Sequence, residues 1–475
     1  MAAPRGPQTM SDGFTHLPMT GLVIALAAVA LVTLLIAPRV STANGFFRGF
    51  ADAGQPPGVL TLTLSQVTTW IFARSLLNAA ILGYFFGIAG VLAYTAYYGS
   101  FVTGWLIIDR LRFRYGASNL QGFMRAQYGG VGTFCLNGLL ALRLVSEVFA
   151  NLLVVGIVFG AAGSAGNTTA MLSVAALTLV YSLTGGLRAS LRTDVLQMVL
   201  LIGLLAALVV VMLLHPLFDP GALAVSSPGI DNPGWILLAV AGLQVLSYPM
   251  HDPVMMDRGF LADRRTTRRS FLHAFWLSAV CILAFGLLGV FAGLHRLEGE
   301  TVLLTLDRLM GTPVMFLLAV ALVLSAASTL DSTFSSAAKL SIADMGLART
   351  TPRNGRIAML LFCLGGLLLV LFGTDDLFAA VAVSGTASLA LTPVIAFSLL
   401  AGWRLSRASL LTSFTLAFTG AVVYFLETSG HIDLLTPLTG LEHDYSKLLA
   451  ITVTILVLAT AAAWLGRQGR MEVVK

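Results

Sequence analysis

Long apolar segments recur along the chain from residue 17 to residue 466. A helix needs about 20 residues to cross a hydrocarbon layer of about 30 Å. Scanning for such segments between charged residues, glycines and prolines predicts thirteen membrane-spanning helices. Their predicted spans are 17–37, 59–82, 84–108, 132–161, 168–186, 190–214, 234–257, 271–295, 313–341, 356–373, 377–402, 408–427 and 447–466. The pattern therefore predicts an all-α polytopic membrane protein.

The composition agrees with this prediction. Hydrophobic residues make up 57% of the 475 residues and charged residues only 11%, against roughly 25% charged in an ordinary globular protein. The mean hydropathy of +0.89 is too high for a soluble core, which excludes a soluble enzyme, a nucleic-acid binder and a disordered scaffold. Cys135, Cys281 and Cys363 all lie in apolar segments, which favours small buried side chains over disulfides or a metal cluster.

The distribution of Lys and Arg predicts the orientation of the spans. With the N-terminus outside, 22 of the 28 Lys and Arg residues lie in inner loops and helix ends, and only four lie outside. In membrane proteins the cytoplasmic loops carry the excess of positive charge. Thirteen spans place the two termini on opposite sides, so we expect the N-terminus outside and the C-terminus in the cytoplasm.

Two predicted spans contain polar residues or prolines that are unusual in contact with lipid. The middle of span 59–82 is polar, with Ser65, Gln66, Thr68, Thr69, Arg74, Ser75 and Asn78. Span 234–257 holds Pro249 and Pro253 on either side of His251 and Asp252, and each proline removes a backbone donor. Unwound backbone at membrane depth is tolerated only where it lines a site. We therefore expect both helices to be broken.

Interrupted helices at equivalent places in two halves of a bundle indicate an inverted-repeat transporter. The sequence predicts a single transporter domain over residues 1–475. Its first repeat is expected at 59–214 and its second at 234–402, each beginning with a broken helix. The segments 17–37 and 408–466 are expected to lie at the periphery.

Span 313–341 carries many hydroxyl groups, including the adjacent pair Ser328 and Thr329. Small hydroxyl residues also let helices pack closely, but an adjacent pair opposite an unwound helix exceeds what packing requires. A small hard cation such as Na⁺ needs several oxygen ligands, and hydroxyls with freed carbonyls supply them. In span 132–161, Arg143 and Glu147 lie four residues apart on one helix face, so we expect them to neutralise each other.

Four segments of the chain resemble the sodium:solute symporters, the family of the bacterial proline and galactose carriers. YSLTGGLRASLRTDVLQ, from Tyr181 to Gln197, is similar to the family signature between its fifth and sixth helices. SAASTLDSTFSSA resembles the sodium-site helix, TTWIFARSLLNAAILGY the first core helix, and SYPMHDPVMMDRGFLAD the broken sixth core helix. The likeness extends from about residue 46 to about residue 400. It implies a five-plus-five inverted-repeat, LeuT-like fold and alternating access driven by a Na⁺ gradient.

The resemblance also implies functional residues. The Na⁺ site would consist of the backbone carbonyls of Thr68, Ile71 and Ser325 and the hydroxyls of Ser328 and Thr329. Asp194 would match the acidic residue on the inner ion-release path of the family. The alternative is that Asp194 is a solvated carboxylate at a helix end near Arg188 and Arg192.

The first core helix departs from the family at Arg74, where relatives often have small or neutral polar residues. A guanidinium can bind a carboxylate through two hydrogen bonds, and Asp252 can receive an amino group, so an amino acid or a small organic acid is the favoured solute. The candidate solute-binding residues are Arg74, Ser75, Asn78 and Asp252. Alternatively, Arg74 pairs with Asp252, Glu147 or Asp331, and the solute class is then open.

We expect a secondary active transporter that carries a small polar solute and Na⁺ into the cell across the plasma membrane, which is the inner membrane in a bacterium. Na⁺ is the expected coupling ion, and no organic cofactor, nucleic acid or obligatory protein partner is indicated. The alternatives are a proton-coupled or uncoupled carrier of the same fold and a transporter-like sensor that acts through a partner. The ionisable residues form neither a nucleophile with its base nor a His/carboxylate metal set, so no enzyme is expected.

Overall fold

The computed structural model describes residues 11–50, 54–372 and 383–471. Within these residues, eleven helices are long and apolar enough to cross a membrane. These helices confirm the all-α polytopic class predicted from the apolar segments.

The helices are numbered in chain order. They are α1 (Met19–Ile36), α2 (Ala43–Arg48), α3 (Val59–Trp70), α4 (Ala73–Ala96), α5 (Ser100–Ile108), α6 (Leu120–Phe159), α7 (Ala165–Gly185), α8 (Leu187–Leu213), α9 (Pro220–Ala224), α10 (Pro233–Gln244), α11 (Pro253–Gly259), α12 (Arg264–Leu294), α13 (Val302–Met310), α14 (Thr312–Ala338), α15 (Pro352–Phe372), α16 (Val383–Leu400), α17 (Arg407–Thr428), α18 (Leu435–Thr439) and α19 (Asp444–Leu465). Short 3₁₀ turns lie at Ser11–Phe14, Tyr97–Gly99 and Tyr248–His251, and π turns continue α5 over Asp109–Arg114 and α14 over Lys339–Asp344. The strands β1 (Trp403–Leu405) and β2 (Arg467–Arg470) form an antiparallel pair.

The eleven long helices differ from the thirteen predicted spans at two places. Predicted spans 59–82 and 84–108 correspond to α3 and then one helical run that continues to Arg114 and bends at Gly87. Gly87 has φ of 63° and ψ of −150°, a conformation that residues with a side chain rarely adopt. Predicted span 234–257 consists of α10, a short turn and α11, none of which is long enough to cross alone. The count of thirteen stays a prediction.

The chain leaves the helical conformation between α3 and α4. Ile71 has φ and ψ of −90° and 66°, and Phe72 of −84° and 160°. Side chains of neighbouring helices bind backbone groups at this break. The Tyr98 hydroxyl donates to the Trp70 carbonyl at 2.8 Å, and Asn151 Oδ1 accepts from the amide of the first residue of α4 at 3.2 Å. Such partners are what non-helical backbone inside a bundle requires.

A second interruption separates α10 from α11. Pro253 begins α11, at the position where a missing backbone N–H is least costly. Asp252 caps the same helix, because its Oδ1 accepts from the Met255 amide at 2.9 Å. Both interruptions therefore lie in the two spans where prolines or polar residues indicated them. The division into repeats at 59–214 and 234–402 stays a prediction.

The broken segments lie inside the bundle. Helix α4 packs along α10 and α12, while α3 packs against α8 and α12, and α14 packs against α6 and α8. Close contact of α4 and α12 depends on Gly289, because a Cβ at this position would lie 2.0 Å from the Ala80 carbonyl oxygen. At the periphery, α17 packs against α19.

Candidate functional site

The break after α3 contacts the hydroxyl-rich face of α14. The Ser325 hydroxyl donates a hydrogen bond to the Ile71 carbonyl. One turn further along α14, Thr329 Oγ1 donates to the Ser325 carbonyl at 3.1 Å. All three residues are buried. The fold therefore brings together three of the five residues that the sequence predicted as Na⁺ ligands.

The other two predicted ligands, Thr68 and Ser328, meet at Asp194 of α8. Thr68 Oγ1 donates to the Asp194 carbonyl at 3.4 Å, and Ser328 Oγ donates to its Oδ1 at 3.2 Å. Asp194 is fully buried, so the interpretation as a solvated carboxylate at a helix end is wrong. Its carboxylate also accepts hydrogen bonds from three further hydroxyls, those of Ser65 at 2.6 Å, Ser190 at 3.4 Å and Ser332 at 3.4 Å.

Arg258 of α11 is the cation of this cluster. Its Nη2 lies 3.5 Å from Asp194 Oδ2 and donates to Ser332 Oγ at 2.9 Å and to Ser190 Oγ at 3.2 Å. Sequence reasoning gave these two serines no part in a site. Ser190 lies four residues before Asp194 and Ser332 lies four residues after Ser328, and residues at that spacing share a helix face. Helical spacing is therefore the signal that would have found them.

A second buried carboxylate, Asp331 of α14, lies beside this cluster. It accepts hydrogen bonds from Ser182 Oγ and Thr193 Oγ1, each at 2.7 Å. The side chain is fully buried. In the part of the chain that the structure describes, no Lys, Arg or His forms an ion pair with it. Hydroxyl donors alone hold this carboxylate.

Arg143 of α6 holds two carboxylates at the centre of the bundle. Its Nη2 lies 2.5 Å from Glu147 Oε1 and 3.2 Å from Asp252 Oδ2. The predicted pairing of Arg143 with Glu147 within one helix is confirmed. Glu147 Oε2 also accepts from Thr333 at 3.2 Å, and Asp252 Oδ1 accepts from the Met255 amide at 2.9 Å. Both oxygens of Asp252 are thus engaged, although the sequence predicted this residue to bind the solute.

Arg74 lies in the first turn of α4, directly after the break, and is only 2% exposed. Its guanidinium lies over the Phe72 ring, 5.0 Å from the ring centroid. Its Nε has no hydrogen-bond partner, and no carboxylate among the described residues forms an ion pair with it. The three carboxylates that the sequence offered as partners, Asp252, Glu147 and Asp331, bind other groups. The alternative of an internal pair is therefore not realised in this structure.

Unpartnered polar atoms lie on α3 and on α4, before and after the break. Gln66, Trp70, Arg74 and Asn78 succeed one another at intervals of four residues. Each has at least one buried side-chain nitrogen or oxygen without a hydrogen-bond partner in the described protein. Leaving such a group unpaired costs about 1–3 kcal/mol. A row of four is therefore more typical of a ligand-facing surface than of a packing surface.

Aromatic side chains connect this row to the second interruption. The Trp70 ring contacts the Tyr248 ring, with 5.5 Å between their centroids. His251 Nδ1 lies 2.5 Å from the Tyr248 carbonyl, while its Nε2 has no partner among the described residues. Ser75, a predicted solute contact, accepts a hydrogen bond from the Tyr94 hydroxyl at 3.1 Å. Both interruptions therefore border the same buried region.

Other ion pairs lie at α11 and at the loop between α12 and α13. Lys339 pairs with Asp257 of α11 and, at 3.4 Å, with Asp344. In the loop between α12 and α13, Glu300 accepts from Arg308 Nε at 2.7 Å. This hydrogen bond with Arg308 lowers the pKa of Glu300 to about 2. These charged groups are thus paired, in contrast to Arg74 at the centre.

Comparison with known proteins gives a family match over part of the chain and a shared fold. Residues 50–216 match the model of the sodium:solute symporter family. The chain is similar to a Na⁺-coupled sialic acid symporter in a substrate-bound outward-open state, with 14% identity and a TM-score of 0.69 over 97% of this chain and 100% of that chain. It is also similar to a nucleobase-cation-symport-1 family transporter in a closed conformation with bromovinylhydantoin bound (15% identity, TM-score 0.56, 90% and 95% covered) and to MhsT in complex with L-phenylalanine (14%, 0.52, 85% and 98%).

At these identities the three structures establish a shared fold, the LeuT-like transporter fold that the sequence predicted. The segment that matches the family model contains both the Tyr181–Gln197 signature and the break after Trp70. Over residues 50–216, the resemblance to the sodium:solute symporter family that the sequence indicated is confirmed.

Proposed function

We propose that this protein is a secondary active transporter that uses a Na⁺ gradient to move a small, carboxylate-bearing solute into the cell by alternating access. The family and the fold support Na⁺-coupled transport. Two interrupted helices at the centre of the bundle support a site near the membrane midplane. The proposed orientation, with the N-terminus outside and the C-terminus cytoplasmic, is based on the distribution of Lys and Arg.

The proposed Na⁺ site lies where the first break meets α14. Its ligands are the carbonyls of Thr68, Ile71 and Ser325 and the hydroxyls of Ser328 and Thr329. The hydrogen bond from Ser325 to Ile71 supports this proposal, because it brings the two ligand-bearing segments into contact. A hydroxyl that donates its proton to one neighbour keeps lone pairs for a cation, and Ser328 donates to Asp194.

We place Asp194 on the path by which Na⁺ leaves the site. Its carboxylate binds Ser328, a proposed ligand, on one side and Arg258 on the other. The Arg258 contact, at 3.5 Å, is longer than the usual distance of a charge-assisted hydrogen bond. A cation leaving the site can therefore compete with Arg258 for the same carboxylate.

Arg74 is the observation that carries the solute assignment. It is buried at the break and has no carboxylate partner among the described residues. An uncompensated buried charge is strongly unfavourable, and a solute carboxylate would satisfy the guanidinium with two parallel hydrogen bonds. Asn78, whose Oδ1 has no partner in the described chain, and Ser75 are proposed to contact the rest of the solute.

Asp252 bears on the choice between an amino acid and an organic acid. Its two oxygens already accept from Arg143 and from the Met255 amide. Each carboxylate oxygen can accept more than one hydrogen bond, so an ammonium group can be added without breaking either contact. If Asp252 receives an ammonium group, the change Asp252→Asn should weaken amino acids selectively and leave organic acids nearly unaffected.

A proton-coupled carrier is the second candidate, and Asp331 is the observation that favours it. This carboxylate is fully buried and is held by two hydroxyls without a basic partner among the described residues. Burial without a counter-charge favours the protonated form of a carboxyl group. A residue of this kind can carry a proton between the two sides of the membrane.

Uptake into proteoliposomes distinguishes these functions. The purified protein is tested with amino acids, organic acids, sugars and the neutral amides of the best acids, under a Na⁺ gradient, a pH gradient or neither. We expect Na⁺-dependent uptake of a carboxylate and little uptake of its amide. Uptake that follows the pH gradient and ignores Na⁺ would favour the proton-coupled carrier. Equal uptake of acid and amide would contradict the role of Arg74 and leave the Na⁺ coupling intact.

A further inference from the structure

The antiparallel pair of β1 and β2 joins the chain after α16 to the chain after α19. Trp403 pairs with Arg470 and Leu405 pairs with Arg467, with a shift of register between the two pairs. In a regular strand, residues three apart point to opposite faces. The shift instead places Arg467 and Arg470 on the face that carries Trp403. Trp403 of β1 and the two arginines of β2 thereby lie on one face of the β1–β2 pair.

Aromatic rings hold these arginines in place. The Arg467 guanidinium lies 3.3 Å from the centroid of the Trp464 ring and 5.4 Å from that of Trp403. The Arg470 guanidinium lies 4.9 Å from the Trp403 centroid. Stacking on a ring fixes the plane of a guanidinium but leaves its charge and most of its N–H edge free for another partner.

The β1–β2 pair and the described residues that flank it are basic. Residues 400–410 and 460–471 contain four arginines and no Lys, Asp or Glu. Arg404, Arg407 and Arg470 are exposed, and Arg467 is half-buried. In the described part of the chain, no carboxylate forms an ion pair with any of the four. A fixed cluster of this charge attracts an anion.

Exposed apolar side chains lie next to the cluster. Trp464 is 57% exposed and Leu465 is 85% exposed at the end of the spanning helix α19. The Tyr115 hydroxyl donates to the Ser398 carbonyl at 3.4 Å, which ties the end of α16 to the end of the arginine-rich turn Asp109–Arg114. The cluster thus lies at the end of the bundle that is predicted to face the cytoplasm, because the loops at this end carry most of the Lys and Arg residues.

We propose that Trp403, Trp464, Arg467 and Arg470 form a binding site for the headgroup of an anionic phospholipid in the cytoplasmic leaflet. The phosphate would accept hydrogen bonds from the free edges of the stacked guanidiniums. The acyl chains would lie along the exposed apolar end of α19. A free phosphate would leave that apolar surface unused, whereas a phospholipid contacts both parts.

Tryptophan quenching tests the site with the protein in phosphatidylcholine vesicles. Brominated phosphatidylglycerol is added in one series and brominated phosphatidylcholine in the other. We expect half-maximal quenching at a lower mole fraction of the anionic lipid. The double change R467Q/R470Q should raise that mole fraction by roughly fivefold for each arginine removed. The matched control is R265Q/R269Q, which removes the same charge from exposed residues outside the β1–β2 pair.

Three outcomes would overturn the proposal. Equal weakening by both double changes would show a diffuse effect of surface charge. Equal quenching by the two lipids in the unmodified protein would show no preference for an anionic headgroup. Loss of the quenching on addition of glycerol phosphate at matched ionic strength would show a site for a soluble phosphate. Melting curves in phosphatidylcholine check folding, and R467K/R470K should restore the preference for the anionic lipid.

Discussion

Replacing Arg74 with glutamine removes the buried guanidinium to which the solute carboxylate is proposed to bind. Arg74 is 2% exposed and has no carboxylate partner among the described residues. The loss of one half of a buried charge pair costs about 2–5 kcal/mol. Because about 1.4 kcal/mol is a factor of ten in affinity, the Kd for a carboxylate solute should rise roughly 30-fold to several thousand-fold.

Arg74→Gln should leave folding intact, because no described protein carboxylate loses a partner. The matched control is Arg143→Gln at the neighbouring arginine, whose Nη2 binds both Glu147 and Asp252. That change leaves two buried carboxylates without their cation and should lower the free energy of unfolding by about 3–5 kcal/mol. The two variants are compared by solute affinity, Na⁺ affinity and melting temperature of the purified protein.

The result that would refute this reasoning is a stable Arg74→Gln protein that binds its carboxylate solute with unchanged affinity. A lower melting temperature that Asp252→Asn partly restores would instead show that Arg74 has an internal partner. Arg74→Lys separates charge from geometry, because lysine keeps the charge but lacks the planar fork. We expect Arg74→Lys to recover only part of the lost affinity.

Three further predictions test the ion site, the ion path and the topology. Ser328→Ala and Thr329→Ala should each raise the Na⁺ concentration needed for half-maximal uptake, because each removes one oxygen ligand; unchanged Na⁺ dependence in both would contradict the site. Asp194→Asn should slow turnover more than it weakens solute binding from outside, and equal losses would place the residue elsewhere. In a background without native cysteines, Ile230→Cys, at a position 92% exposed, should react with an impermeant thiol reagent from outside. Arg265→Cys should not react, and the reverse pattern would invert the topology.

The elements that sequence could predict are those fixed by local pattern. Apolar length located the spans, and prolines and polar residues located the two interruptions. Spacing within one helix predicted the pair of Arg143 and Glu147. The bend at Gly87 was harder to predict, because a glycine in an apolar run gives no sign of whether it adopts a positive φ. The helix is continuous from Ala73 to Arg114, although the sequence predicted a boundary between two spans at residues 82–84.

The surroundings of Asp194 show where local reasoning failed. Two nearby arginines, Arg188 and Arg192, suggested a solvated helix end. Residues two apart on a helix do not face each other, so Arg192 points away from Asp194 and lies exposed while the carboxylate is buried. The partners of Asp194, Ser65 and Arg258, come from α3 and α11. Helical geometry alone could have excluded Arg192, but only the tertiary fold could supply the other two.

The same limit applies to the two central arginines, because the sequence predicted Glu147 as the partner of Arg143 but left the partner of Arg74 open. Both lie in apolar helices, and both guanidiniums lie over the Phe72 ring, at 5.0 Å for Arg74 and 5.8 Å for Arg143. In the folded protein, Arg143 forms ion pairs with both Glu147 and Asp252, and Arg74 forms an ion pair with neither. With all four groups ionised the set is neutral but polarised, because Arg143 binds both carboxylates and Arg74 binds none among the described residues. A zwitterionic amino acid matches this polarity without changing the net charge, whereas an organic anion adds one negative charge that a bound Na⁺ would balance.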